Sequence, residues 1–204
     1  MRIVIFAKAP QPGIAKTRLI PALGASGAAA LARRMLAHTL TCALQSNCGS
    51  IELCVTPPFA DDTWRDVDLP EGVAISDQGN GDLGARMARC ARRVLPHESA
   101  LLIGTDCIEL DDDRLRSAAR ALASYDTVMH PTVDGGYALL GLRRYDDRLF
   151  SDIAWSTSAV ARTTLDRIAE LGWSVQRAAT LRDIDGPTDL IHVPHATFGQ
   201  GLPI

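Results

Sequence analysis

The stretch Leu-Leu-Ile-Gly-Thr-Asp-Cys-Ile-Glu-Leu at positions 101–110 decides the fold. Residues 100–103 form an uninterrupted apolar run, and helix-like patterns precede and follow this run in the sequence. Such a run predicts a strand of a parallel sheet that is covered on both faces. Glycine and threonine end this strand, and Asp106 follows. Ligands of open α/β sheets bind outside the carboxyl ends of the strands, where a carboxylate can hold Mg²⁺ or Mn²⁺. Asp106 is therefore a candidate metal ligand, with capping of a turn or helix as the alternative.

Length and composition predict one globular domain over residues 1–204, of which 47% are hydrophobic and 22% are charged. A net charge of −3 offers no basic surface for nucleic acid or for a membrane. The five cysteines form no C-x-x-C pair, which favours a reducing compartment over a disulfide framework or a zinc site. Apolar runs are too short for a signal peptide or a membrane span, so we expect a cytoplasmic protein.

A loop rich in turn residues and cations follows the first predicted strand, at residues 2–7. Residues 8–18 contain two prolines, one glycine and three cations: Lys8, Lys16 and Arg18. Backbone N–H groups in such a loop, beside positive side chains, suit a nucleotide phosphate. The loop is not a P-loop, because it lacks the glycine-lysine pair of that motif. A solvated surface loop is the alternative interpretation.

Helices and strands alternate along the rest of the chain. Strands are predicted at 50–56, 73–76, 126–130, 138–142 and 174–176. Predicted helices begin at Ser26, after Asp82, with the acidic run 111–113, and after Ser156 or Thr157. The three acids suit the positive end of a helix dipole better than a metal site. Arg89 and Arg93, on the second of these helices, are assigned to a solvated surface, and a functional role for Arg86 is left open.

Two further aspartate motifs flank the predicted site. Asp134-Gly-Gly lies between two apolar runs, which predicts a hairpin turn, and the second glycine also permits close approach of a ligand. Asp183 and Asp185 flank Ile184, so in extended backbone both carboxylates point to one side. Either could be a second metal ligand, and turn stabilisation is the alternative. Gly186-Pro187 predicts the start of a last helical segment.

Seven motifs in order along the chain resemble a family of bacterial GT-A-like transferases known as radical-SAM/selenodomain-associated transferase 1. They are Phe6-Ala-Lys-Ala-Pro-Gln-Pro-Gly13, Lys16-Thr-Arg-Leu19, Gln78-Gly79 with Gly81-Asp-Leu-Gly84, Gly104-Thr-Asp-Cys107, Asp134-Gly-Gly-Tyr137, Trp155-Ser-Thr157 and Asp183-Ile-Asp185. The chain departs from the family at Ile108, where proline is usual, and at Gly186, where threonine is usual. Neither departure removes a charged group. The wider superfamily includes nucleotide-sugar transferases and the molybdenum cofactor and phospholactate guanylyltransferases.

The resemblance implies a three-layer α/β fold of the GT-A, nucleotide-diphospho-sugar transferase type, with a mostly parallel sheet. It implies that Asp106 and Asp185 hold Mg²⁺ or Mn²⁺, with Asp183 as the fallback for the second position. It implies catalytic roles for Lys16, Asp106 and Asp134. The residues that it places around the nucleotide are Ala7, Lys8, Gly13, Lys16, Arg18, Gln78, Gly79, Asp82, Gly135 and Gly136.

Three functions remain open from the sequence. The leading hypothesis is transfer of a sugar from a nucleotide-diphospho-sugar to a small-molecule acceptor. The alternative is nucleotidyl transfer from a nucleoside triphosphate to a phosphorylated acceptor, which needs the same phosphate-binding groups. A non-catalytic nucleotide-binding protein is the third hypothesis. The presence of Lys16, Asp106 and Asp185 together counts against it.

Overall fold

A central seven-stranded sheet organises the chain in the computed structural model, which describes residues 1–194. Its strands are β1 (Arg2–Lys8), β2 (Ser50–Thr56), β3 (Val73–Asp77), β4 (Ala100–Ile103), β5 (Thr127–Pro131), β6 (Tyr137–Leu142) and β7 (Val175–Arg177). The strand order is β3-β2-β1-β4-β6-β5-β7. β6 runs antiparallel to both of its neighbours, and the other pairings are parallel. The mostly parallel sheet that the sequence predicted is confirmed.

Four α-helices cover the two faces of the sheet and make three layers. They are α1 (Ile20–Ser46), α2 (Leu83–Val94), α3 (Asp112–Ala121) and α4 (Val160–Glu170). One apolar core joins α1 and α3 to the sheet, and a second core on the other face joins α2 and α4. Short 3₁₀ segments span Thr17–Leu19, Asp62–Trp64, Asp147–Leu149 and Pro187–His192. None of the helices within residues 1–194 is both long and apolar enough to cross a bilayer.

Helix starts were predicted less well than strands. The α1 range begins at Ile20, but Gly24 (φ 69°, ψ 166°) is not helical and divides the range, so the main helix starts close to the predicted Ser26. α4 begins at Val160 rather than directly after Thr157, and its N-cap residue, Ala159, offers no side-chain bond. Asp82 and Asp111 do cap α2 and α3, because each carboxylate accepts a hydrogen bond from a first-turn backbone N–H at 2.8 Å. Capping there is confirmed.

The β2 carboxylate Glu52 is buried between the sheet and α2, with 2% of its surface exposed. Arg2 donates to it at 3.0 Å, Ser76 donates to it at 2.6 Å, and Arg93 contacts it with both terminal nitrogens. Burial by itself would raise the pKa of Glu52, but these donors outweigh burial and hold the pKa below its usual value. Arg93 is exposed, as the sequence predicted, but its guanidinium also holds this buried carboxylate, which the sequence did not reveal.

Candidate functional site

The candidate site lies at the carboxyl edge of the sheet, where β1 and β4 end side by side. Three connections converge there: the loop after β1, the loop after β4, and the segment 181–185. An isolated parallel bridge pairs Leu181 with Thr132 beyond the end of β5. The backbone N–H of Ile184 then donates to the carbonyl of Asp106 at 2.9 Å. These backbone bonds place the aspartates of both segments next to each other.

Lys16 connects the two aspartates that the resemblance assigns to a metal. Its ammonium lies 2.6 Å from Asp106 Oδ1 and 3.5 Å from Asp185 Oδ1, and it also donates to the carbonyl of Ile184. Only 5% of the Lys16 side chain is exposed, against 47% for Asp106. The lysine is thus an internal counter-ion for carboxylates that face solvent.

The backbone of Lys16 is in a left-handed conformation, with φ 51° and ψ 38°. For a residue with a Cβ this conformation costs about 1–2 kcal/mol, and it persists only where the surroundings impose it. The 3₁₀ turn that starts here is closed by a 2.9 Å bond from the Leu19 N–H to the Lys16 carbonyl, and Leu19 is fully buried. Anchoring of Leu19 in the core therefore fixes the lysine at the sheet edge.

Asp185 and Asp183 occupy different environments. Asp185 contacts Lys16 and also accepts a hydrogen bond from Arg18 at 3.2 Å, while the backbone of Asp185 is held by Asp189 at 3.0 Å. Asp183 is half-buried. Burial, together with the negative charges of Asp106, Asp134 and Asp185, raises the pKa of Asp183 to about 7. Ile184 between the two aspartates is buried, as the alternating pattern predicted.

The carboxylates of the site fit a hard divalent cation whose remaining coordination positions are filled by water and a bound substrate. Mg²⁺ in proteins is held by one or two carboxylates, while water and substrate phosphates complete its coordination. Asp106 and Asp185 supply two carboxylates around one ammonium. Within residues 1–194, no three His, Cys, Asp or Glu side chains are arranged to hold a metal by themselves. Burial raises the pKa of the adjacent Cys107 thiol to about 12, so without a metal this thiol stays protonated at neutral pH.

Gln78, just after β3, supports the site from within the protein. Its amide nitrogen donates to the carbonyls of Ala7 and Cys54 at 3.1 and 3.0 Å, and its amide oxygen accepts from Arg86 at 3.0 Å. Arg89 is exposed, as the sequence predicted, and its guanidinium also donates to the carbonyls of Gln78 and Asn80. The buried Gln78 thus ties the ends of β1 and β2 to the start of α2.

The Asp134 turn is a hairpin between β5 and β6, as predicted. Asp134 is exposed, and its Oδ1 accepts from the Thr132 hydroxyl at 2.5 Å and from the Gly136 N–H at 3.0 Å. Gly135 has φ 91°, and a Cβ there would lie 2.1 Å from the Ser158 carbonyl oxygen. The turn therefore packs directly on the residues before α4, and only glycine fits at this position.

All of the sequence-predicted residues lie at this edge of the sheet. The exposed Lys8 ends β1 next to the buried Ala7, and Gly13 (φ 79°) lies in the open part of the loop. Gly79 and Asp82 follow β3, where Asp82 is the cap of α2. Their contacts with a nucleotide stay a prediction. Gln78, Arg86 and Arg89 form a supporting network that the sequence did not reveal, because it depends on bonds spanning up to 71 residues.

The chain belongs to the family DUF2064, described as an uncharacterized protein conserved in bacteria, whose model matches residues 39–157. The match includes Asp106 and Asp134 but neither Lys16 nor Asp185. No curated protein matches the chain by sequence.

Solved structures share the fold over nearly the whole chain. A "putative nucleotide-diphospho-sugar transferase" from Desulfovibrio desulfuricans G20 has a TM-score of 0.84 and 25% identity, covering 96% of this chain and 90% of that one. A manganese complex of Rv0371c from Mycobacterium tuberculosis H37Rv has a TM-score of 0.57 and 14% identity, covering 94% and 97%. A CMP:2-keto-3-deoxy-manno-octonic acid synthetase with CTP has a TM-score of 0.59 and 11% identity, covering 97% and 98%. The fold is that of the nucleotide-diphospho-sugar transferases and cytidylyltransferases, as the resemblance implied.

Proposed function

We propose that this protein is a divalent-cation-dependent transferase that takes a sugar from a nucleotide-diphospho-sugar and passes it to a small-molecule acceptor. One observation carries the proposal: the buried Lys16 ammonium joins Asp106 and Asp185 at the carboxyl edge of the sheet. Ligands of this class of sheet bind at that edge. The likeness to the Desulfovibrio protein supports a nucleotide-diphospho-sugar as donor.

The chain supplies a group for each part of such a donor. The exposed Arg18 would contact the diphosphate, and the loop around Gly13 would add backbone N–H groups. Lys16, whose three donors face Asp106, Asp185 and the Ile184 carbonyl, would turn one of them to the diphosphate when a cation takes up the two carboxylates. Asp106 and Asp185 would hold Mg²⁺ or Mn²⁺, which stabilises negative charge on the departing diphosphate when bound. Gln78, with both ends of its side chain bonded within the protein, would position Gly79 beside the base or ribose.

Asp134 is the candidate general base for the acceptor hydroxyl. Its Oδ1 is occupied by Thr132 and Gly136, whereas its Oδ2 makes no hydrogen bond within the described part of the chain. That oxygen would accept the proton of the acceptor hydroxyl while the hydroxyl oxygen bonds to the sugar carbon and the bond from that carbon to the diphosphate breaks. The exposed carboxylate leaves room for a small acceptor.

Nucleotidyl transfer is the second candidate, because the same groups would bind a triphosphate and the fold is shared with the CTP-bound synthetase over 97% of this chain. Incubation with Mg²⁺ or Mn²⁺ and a panel of nucleotide sugars and nucleoside triphosphates separates the two. Release of nucleoside diphosphate is the result expected for sugar transfer, and pyrophosphate release would establish the second candidate instead. Asp106→Asn is the control, and a product that it forms at the wild-type rate would contradict both.

A further inference from the structure

A second concave site adjoins the Asp134 turn. A cavity of about 460 Å³ lies between this turn, the start of α4 and the end of β7. Polar and charged residues from the end of β5, the start of α4 and the end of β7 line it: Thr132, Ser158, Arg162, Asp166 and Arg177. The dimensions suit a small organic molecule rather than a macromolecule.

The cavity wall is rigid and is coupled to Asp134. The carbonyl of Gly135 accepts a 2.8 Å hydrogen bond from the N–H of Ala161 in the first turn of α4. Gly135 also packs against Ser158 with no space for a side chain. Thr132, which lines the cavity, donates to Asp134. A molecule in this cavity would therefore lie one residue away from the carboxylate proposed to handle the acceptor.

Two arginines give the cavity a positive character. Arg162 and Arg177 are exposed, and neither guanidinium forms an ion pair or hydrogen bond within residues 1–194. Some other exposed arginines, such as Arg92 and Arg148, are paired with carboxylates. A planar guanidinium matches a carboxylate or phosphate with two parallel hydrogen bonds, so two of them in one cavity favour an anionic group. Asp166 leaves the cavity with one net positive charge.

We infer that this cavity binds an anionic group, a phosphate or a carboxylate, of a small-molecule ligand, and that the acceptor is therefore an acidic molecule anchored by Arg162 and Arg177. Only the identification of the ligand as the acceptor rests on the proposed function. Anchoring of the anion would leave a hydroxyl of the same molecule free to reach Asp134. The two arginines determine specificity and have no role in bond breaking.

The test measures binding to the ¹⁵N-labelled full chain by NMR, without any nucleotide. The probes are glycerol 3-phosphate, glycerate and glycerol, which share a carbon skeleton and differ in the anionic group. We expect at least one anion to shift the amide signals of Thr132, Gly135 and Ser158, with glycerol inactive. The better of the two anions identifies the group as phosphate or carboxylate.

Variants locate the binding. Arg162→Gln and Arg177→Gln should each weaken binding by about ten- to a hundredfold, because each removes a charge-assisted hydrogen bond. Asp166→Asn should tighten binding because it removes a like charge, and Arg120→Gln, on α3 across the sheet, should change nothing. Failure of both anions to shift these signals, or equal weakening by Arg162→Gln and Arg120→Gln, would overturn the inference. If the protein binds the anions but releases no nucleotide product in the assay described above, the proposed function is overturned and the anion-binding cavity is not.

Discussion

Removal of the Lys16 ammonium tests the electrostatic core of the site. In Lys16→Ala, Asp106 and Asp185 lose a shared cation that lies 2.6 and 3.5 Å from their oxygens and is nearly buried. If this ammonium also contacts the diphosphate, its loss removes a charge-assisted hydrogen bond of about 1.5–3 kcal/mol. The affinity for a nucleoside diphosphate should then fall by about ten- to a hundredfold. A nucleoside lacks the phosphates, so its affinity should stay unchanged.

Titration calorimetry with a nucleoside and its diphosphate, both in the presence of Mn²⁺, measures the two affinities. Arg120→Ala is the matched control, because it removes one exposed positive charge from a helix on the far side of the core. Thermal unfolding of each variant excludes loss of the fold as the cause. Equal losses for nucleoside and diphosphate, in variants of matched thermal stability, would refute the assignment of Lys16 to the phosphates.

Three other perturbations have defined outcomes. Without nucleotide, Lys16→Ala should bind Mn²⁺ more tightly than the wild type by calorimetry, because the internal counter-ion of the carboxylates is gone; weaker binding would contradict this. Asp185→Ala should abolish turnover at saturating nucleotide while Asp183→Ala keeps measurable activity, because Asp185 contacts the side chains of both Lys16 and Arg18. If Asp183→Ala were the inactive variant instead, the second metal ligand would be Asp183. Glu52→Gln should lower the free energy of unfolding by about 1–3 kcal/mol at pH 7, because Arg93 and Arg2 lose a buried partner. Because folding lowers the pKa of Glu52, the difference in unfolding free energy between wild type and Glu52→Gln is largest above the unfolded pKa of about 4.3 and shrinks as the pH falls through the folded pKa. Urea unfolding at several pH values measures this difference. A difference that does not change with pH would contradict the prediction.

The strands were predictable because each is a short apolar run that the sheet buries. The limits of β2 and β4 agree with the sequence prediction residue for residue. Helix starts were harder: the main part of α1 begins close to the predicted Ser26, but a short segment at 20–23 precedes it across the non-helical Gly24. Tertiary packing of Leu19 and Leu23 in a small core with Ile184 determines the actual start.

The aspartates of the site were predictable from motif and position, since each follows a strand end or precedes a turn. Their shared contact with Lys16 was not, because it depends on a left-handed residue and on bonds between segments 168 residues apart. The contacts of Arg89 and Arg93 were missed for a related reason, although both residues are exposed as predicted. Helical periodicity places them off the apolar face, but their long side chains reach a loop carbonyl and a buried carboxylate that no local pattern specifies.

The proposed function depends most on Asp106 as the ligand of a divalent cation that holds the nucleotide. Calorimetry of Asp106→Asn with a nucleoside diphosphate, with and without Mn²⁺, tests this directly because the substitution preserves shape and removes charge. We predict an unchanged fold, measured by circular dichroism and thermal unfolding, and loss of the Mn²⁺-dependent part of nucleotide binding. An affinity with Mn²⁺ equal to that of the wild type would contradict the account.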